Sequence, residues 1–72
     1  MITIYSADWC QPCKQLKKML DNNEIEYTVI DIDKAPETAR SLGIRGVPTI
    51  INELGERRVG AITLAQVKEL IS

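Results

Sequence analysis

Trp9-Cys10-Gln11-Pro12-Cys13 follows directly on the apolar, β-prone run Ile2-Thr3-Ile4-Tyr5 and leads into the lysine-rich stretch Lys14 to Leu20. Cys13, Leu16, Met19 and Leu20 recur at helical spacing, while Lys14, Lys17 and Lys18 fall on other faces. Pro12 suits the first turn of a helix, where its missing N–H costs nothing. A strand, a short loop (Ser6 to Trp9) and a helix put Cys10 at the helix N-terminus and Cys13 one turn further in. Two sulfurs so placed can form and break a disulfide without moving the backbone far.

The bulk properties narrow what such a pair can do. Seventy-two residues are expected to form one domain, 1–72. A chain of this size buries about 60–65% of the surface exposed by its unfolded form, so its core is thin. With 44% hydrophobic and 26% charged residues, the composition is that of an ordinary soluble protein. The net charge is −1 and the basic residues are dispersed, so neither nucleic acid nor an anionic membrane is expected as a partner. No run is long enough to cross a bilayer and no signal peptide is visible, so the expected location is the cytoplasm. There, two cysteines suggest redox chemistry or metal binding rather than a structural bridge. With no histidine, a closed zinc site would have only two thiolates, and Cys-His and Ser-His-Asp catalysis are excluded.

Further along, Asp21-Asn22-Asn23 reads as a helix stop. Ile25, Tyr27 and Val29 alternate with polar residues and pass into Ile30 and Ile32, a second strand. The intervening helix implies a right-handed crossover and a parallel pair. Asp33 to Glu37, with Pro36, opens a short helix that Gly43 closes in a left-handed conformation. Val47 to Ile51 reads as a third strand, Asn52 to Gly55 as a turn and 56–60 as a fourth strand. In the last helix Thr63 and Gln66 form a capping box and Ile62 with Val67 a hydrophobic staple; Leu64, Val67, Leu70 and Ile71 share one face. The order β-α-β-α-β-β-α predicts an α/β protein with a mixed four-stranded sheet and helices on both faces.

Trp9-Cys10-x-Pro12-Cys13-Lys14, Gly43-Ile44-Arg45-Gly46-Val47-Pro48-Thr49 and Val59-Gly60-Ala61 resemble the thioredoxin family in three separated places, in order. The strand and helix that thioredoxins carry in front have no counterpart. In length and topology the chain therefore resembles a glutaredoxin, or the glutaredoxin-like hydrogen donors of ribonucleotide reductase. The resemblance implies a minimal thioredoxin-like fold with sheet order 2-1-3-4. It implies a monomeric thiol–disulfide oxidoreductase whose only redox group is its own Cys10–Cys13 dithiol. Protein disulfides would be its substrates, thioredoxin reductase its electron source and ribonucleotide reductase one target. Cys10 would attack and Cys13 resolve. Pro48 would be a cis-proline facing the disulfide, and the Val47 backbone would bind an extended substrate. Trp9 and Pro12 would flank the sulfurs, and Gly60 and Ala61 would complete the docking surface.

Physical chemistry supports the first of these roles. Unpaired N–H groups at a helix N-terminus stabilise a thiolate by about 0.3–2 kcal/mol. Lys14 adds positive potential, and only the thiolate attacks a disulfide. Asp8 reads either as a proton acceptor or as loop chemistry, and Trp9 either as a docking residue or as a cover for the small core. Thioredoxins usually bury an acid and a lysine at the positions of Ile4 and Val29, and here both are apolar. A slower or more pH-dependent resolving step is expected, with water or Asp8 taking the proton. Gln11 stands where thioredoxins usually have glycine and would bias partner choice. Val59-Gly60-Ala61-Ile62-Thr63 lacks the Gly-Gly-x-Asp pattern with which glutaredoxins grip glutathione. A glutathione-dependent glutaredoxin, and an iron–sulfur or soft-metal binding module using Cys10, are the rival readings.

Overall fold

The computed structural model describes residues 1–71. Its elements are β1 (Ile2–Ser6), α1 (Gln11–Asn22), β2 (Tyr27–Asp31), α2 (Pro36–Ser41), β3 (Thr49–Ile51), β4 (Arg57–Val59) and α3 (Leu64–Ile71). They form a four-stranded sheet of order β2-β1-β3-β4. β1 is central, parallel to β2 with Ile2 opposite Tyr27 and Ile4 opposite Val29, and antiparallel to β3 with Ile4 opposite Ile50. β3 and β4 close an antiparallel hairpin. The element order and sheet order are those expected from the sequence.

The period of the strand decides what the sheet buries. Ile2 and Ile4 fall on one face of β1, where they join Leu16 and Leu20 of α1, Ile50 of β3 and Val67 and Leu70 of α3 in one cluster. Ile62 packs against the same cluster just ahead of α3. There the capping box is complete: Gln66 N–H donates to Thr63 Oγ1 at 3.2 Å and Thr63 N–H donates to Gln66 Oε1 at 3.0 Å.

Two helices end on left-handed residues. After α2, Gly43 has φ +68°, and its N–H and that of Ile44 donate to the carbonyls of Arg40 and Ala39. This pattern satisfies carbonyls that the helix end would leave open. After α1 the same pattern is built on Glu24 at φ +56°, with Glu24 N–H on Asp21 O and Ile25 N–H on Leu20 O. α1 therefore runs on through Asn22 instead of stopping at Asp21, and β2 begins at Tyr27 instead of Ile25. β3 begins at Thr49 instead of Val47 because Pro48 has no N–H to give a ladder. Val29 also departs from expectation. It lies on the edge strand at 42% exposure, whereas Ile4 opposite is fully buried, so this pair of positions is not jointly in the core.

Candidate active site

The dithiol sits where β1 hands over to α1. Cys10 is the N-cap of α1, with extended backbone (φ −90°, ψ 108°) and Pro12 in the first turn. Its Sγ accepts a hydrogen bond from the Cys13 backbone N–H at 3.3 Å, so the sulfur takes the place of the usual capping oxygen. Cys10 N–H donates to Ala7 O at 3.1 Å, which folds the preceding loop back on itself. Both cysteines are free. They are buried to different degrees, Cys10 being 4% exposed and Cys13 not at all. With Ala7 they form a second small cluster, against which Ile32 and Val47 pack.

This surrounding controls the inner thiol. The Cys13 thiol is pushed up to about 11 from an ordinary 9.0. Burial of the sulfur is the main cause and its hydrogen bond with the Cys10 side chain the next; the Ala7 backbone and the charge of Lys17 pull the other way. The fold thus holds the Cys13 proton more tightly than the unfolded chain does, and the stability this gives is present below about pH 9. As pH rises from 9 toward 11 the unfolded chain loses its proton first and the stability is lost. The reduced protein is expected to lose about 1–2 kcal/mol more than Cys13→Ala between about pH 8 and pH 10. Urea unfolding of both proteins at each pH measures this difference, and parallel profiles would contradict it.

The remaining candidate residues gather around the same corner. The Val47–Pro48 peptide is cis, Pro48 is buried and Val47 is half-buried beside the cysteines. Thr49 Oγ1 donates to Gly46 O at 2.7 Å and so fastens the loop that carries Val47. Gly60, at φ +87°, donates its N–H to Pro48 O at 3.0 Å, tying the end of β4 to the proline loop. Pro12, Gly60 and Ala61 line one groove of 370 Å³ that continues along α1 to Leu16 and Met19. Gln11 is exposed.

Trp9 is 67% exposed, which rules out the core-covering alternative. Its indole Nε1–H donates to Asp33 Oδ2 at 2.9 Å. Sequence reasoning missed Asp33 because the two residues are 24 apart and no local pattern joins them. Asp8 and Lys14 are both exposed, and neither side chain hydrogen-bonds a sulfur. The sequence reading also set Lys17 with Lys14 and Lys18 on faces away from Cys13; its i+4 spacing instead places it beside Cys13 on one helix face, and it is half-buried.

The comparisons with known proteins agree with this geometry. The glutaredoxin family model matches residues 2–54. The thioredoxin of Buchnera aphidicola subsp. Baizongia pistaciae is 38% identical over 92% of this chain and 70% of its own length. The glutaredoxin-like protein NrdH of Lactococcus lactis subsp. cremoris is 38% identical over 74% of this chain and 78% of its own. Among solved structures, the glutaredoxin-like NrdH-redoxin of Escherichia coli, described as having a thioredoxin-like activity profile, superposes with a TM-score of 0.78 at 27% identity. That alignment spans 93% of this chain and 91% of the other. A dithiol at the start of the first helix, beside a cis-proline loop on a 2-1-3-4 sheet, thus has sequence relatives on both sides of one family: this chain belongs to the thioredoxin/glutaredoxin family of thiol–disulfide oxidoreductases.

Proposed function

We propose that residues 1–72 act as one monomeric domain that reduces protein disulfides in the cytoplasm, using Cys10 to attack and Cys13 to resolve. The observation that carries this reading is the N–H of Cys13 aimed at Cys10 Sγ while Cys13 itself is sealed from solvent. Negative charge on sulfur is favoured at such a helix start. The Cys10 thiolate attacks one substrate sulfur, forming a mixed disulfide and releasing the other as a thiolate. Cys13 then loses its proton and attacks Cys10 Sγ. The Cys10–Cys13 bond forms, the bond to substrate breaks, and the second substrate sulfur leaves with the electron pair and takes up a proton. The substrate disulfide gains two electrons and the Cys10–Cys13 pair gives them. No cofactor is needed.

In this reading Trp9, Gln11, Pro12, Val47, Pro48, Gly60 and Ala61 make the substrate platform. The Val47 backbone bonds an extended segment, and Asp8 and Lys14 set the local potential around Cys10. The oxidised pair is returned to the dithiol by thioredoxin reductase, and ribonucleotide reductase is a target. The NrdH relatives support that assignment. The glutaredoxin match itself favours a glutathione-dependent reading, but it ends at residue 54. Val59 to Thr63, where the glutathione pattern would lie, falls outside it.

Reduction of a protein disulfide is followed with NADPH and thioredoxin reductase, then with NADPH, glutathione and glutathione reductase. Turnover with the first system is the expected result; turnover with glutathione alone would overturn the electron source. Cluster absorbance after anaerobic purification would favour the metal-binding alternative.

A further inference from the structure

The resolving step asks a thiol in an apolar shell to give up its proton. Around Cys13, the loop after β1 contributes the main chain of Ala7, and residues 32 and 47 contribute the apolar side chains of Ile32 and Val47. The titratable groups acting on Cys13 are Cys10 and Lys17. Once Cys10 is bonded to substrate, its thiol no longer bears a charge or proton. Lys17 is then the one cationic group left acting on the sulfur among the described residues.

Its placement on α1 is specific. Lys17 is one turn beyond Cys13 on the same face, and helical side chains lean toward the N-terminus, over the turn that precedes them. Of the three lysines on α1, Lys14 and Lys18 are exposed and only Lys17 is half-buried. Of the three, Lys17 is thus the least open to water, and its charge the least screened.

Resting on the dithiol reading above, we propose that Lys17 is a positioning residue of the resolving step, stabilising the Cys13 thiolate as it attacks the mixed disulfide. The site takes over, from the helix side, the help that a buried acid beneath the sheet would otherwise give to proton loss. Lys17 acts on charge and not as a proton acceptor, since an ammonium group has no lone pair to offer; the proton leaves to water. The effect belongs to the second chemical step alone.

An aromatic disulfide whose thiolate absorbs visible light, such as dithiobis-nitrobenzoate, separates the two steps in stopped flow. Attack by Cys10 releases one coloured thiolate and resolution by Cys13 the second. In Lys17→Met the second phase is expected to slow roughly three- to tenfold near pH 7, its pH midpoint rising by roughly half to one unit. The first phase should hold, Lys17→Arg should restore the second, and Lys14→Met and Lys18→Met should leave it within about twofold. An unchanged second-phase profile in Lys17→Met would overturn the role of Lys17, and so would equal slowing in all three lysine variants. A native chain that releases only one thiolate would overturn the dithiol reading and this proposal with it. First-phase rate and circular dichroism identify any variant that has lost its fold; if Lys17→Met is one, Lys17→Arg carries the test, and a folded Lys17→Arg whose second phase is slowed by roughly three- to tenfold overturns the proposal.

Discussion

Cys13→Ser is expected to stop the cycle at the mixed disulfide, with substrate held on Cys10 and turnover down by roughly a thousandfold or more. The magnitude follows from what Cys13 supplies. A well-oriented intramolecular group acts at an effective concentration on the order of 10⁵ M or higher, which millimolar external thiol does not match. The first attack should survive, because Cys10 keeps the backbone N–H donor at 3.3 Å that faces its sulfur. Mass spectrometry of the quenched reaction should find one substrate per chain, released by added dithiol. Cys10→Ser should remove both phases, since Cys13 is fully shielded. If Cys13→Ser turned over within tenfold of the native rate with glutathione present, the chain would be working by a monothiol route and the thioredoxin-reductase reading would fail.

How much of this was legible beforehand depended on whether the controlling interaction was local. Thr63 and Gln66 are three residues apart, and their reciprocal cap was readable because helix starts are settled by neighbours in sequence. Gly43 ended α2 for the same reason. Pro48 was found by motif, but the start of β3 was not, since losing one ladder donor matters only once β1 is alongside. Trp9 shows the limit more sharply. Its exposure and its bond to Asp33 depend on the loop after β2 being brought beside the loop after β1, which no local window contains. Lys17 was a different failure: it was grouped with Lys14 and Lys18 on faces away from Cys13, although its i+4 spacing from Cys13 was visible. Val29 looked like a core residue through alternation and the family resemblance, yet an edge strand exposes part of what alternation would bury.

The same contrast between Ile4 and Val29 sets the second large effect. Ile4→Asp is expected to destabilise the protein by about 4 kcal/mol or more, a large share of a total stability of order 5–15 kcal/mol. Ile4 is completely buried against Leu16, Leu20, Ile50, Val67 and Leu70, so the substitution gives up its apolar burial and puts a carboxyl among hydrocarbons. A carboxyl there has its folded pKa raised above that of the unfolded chain. Its folded form then binds the proton more tightly, so the variant should be least destabilised below about pH 4 and lose further stability as pH rises. Val29→Lys alone should stay within about 0.5 kcal/mol of native, because the position is 42% exposed. In register with residue 4, a lysine at 29 can face the carboxylate, but its charge sits largely in water and should return no more than about 1 kcal/mol. Urea unfolding of the two single variants and the double variant closes the cycle. A double variant as stable as the native protein would mean that β2 closes over position 29 and that the acid–lysine pair fits this sheet after all. Recovery of only a small part would mean that an acid at position 4 is unaffordable here, leaving the resolving proton to be managed from the helix side of Cys13.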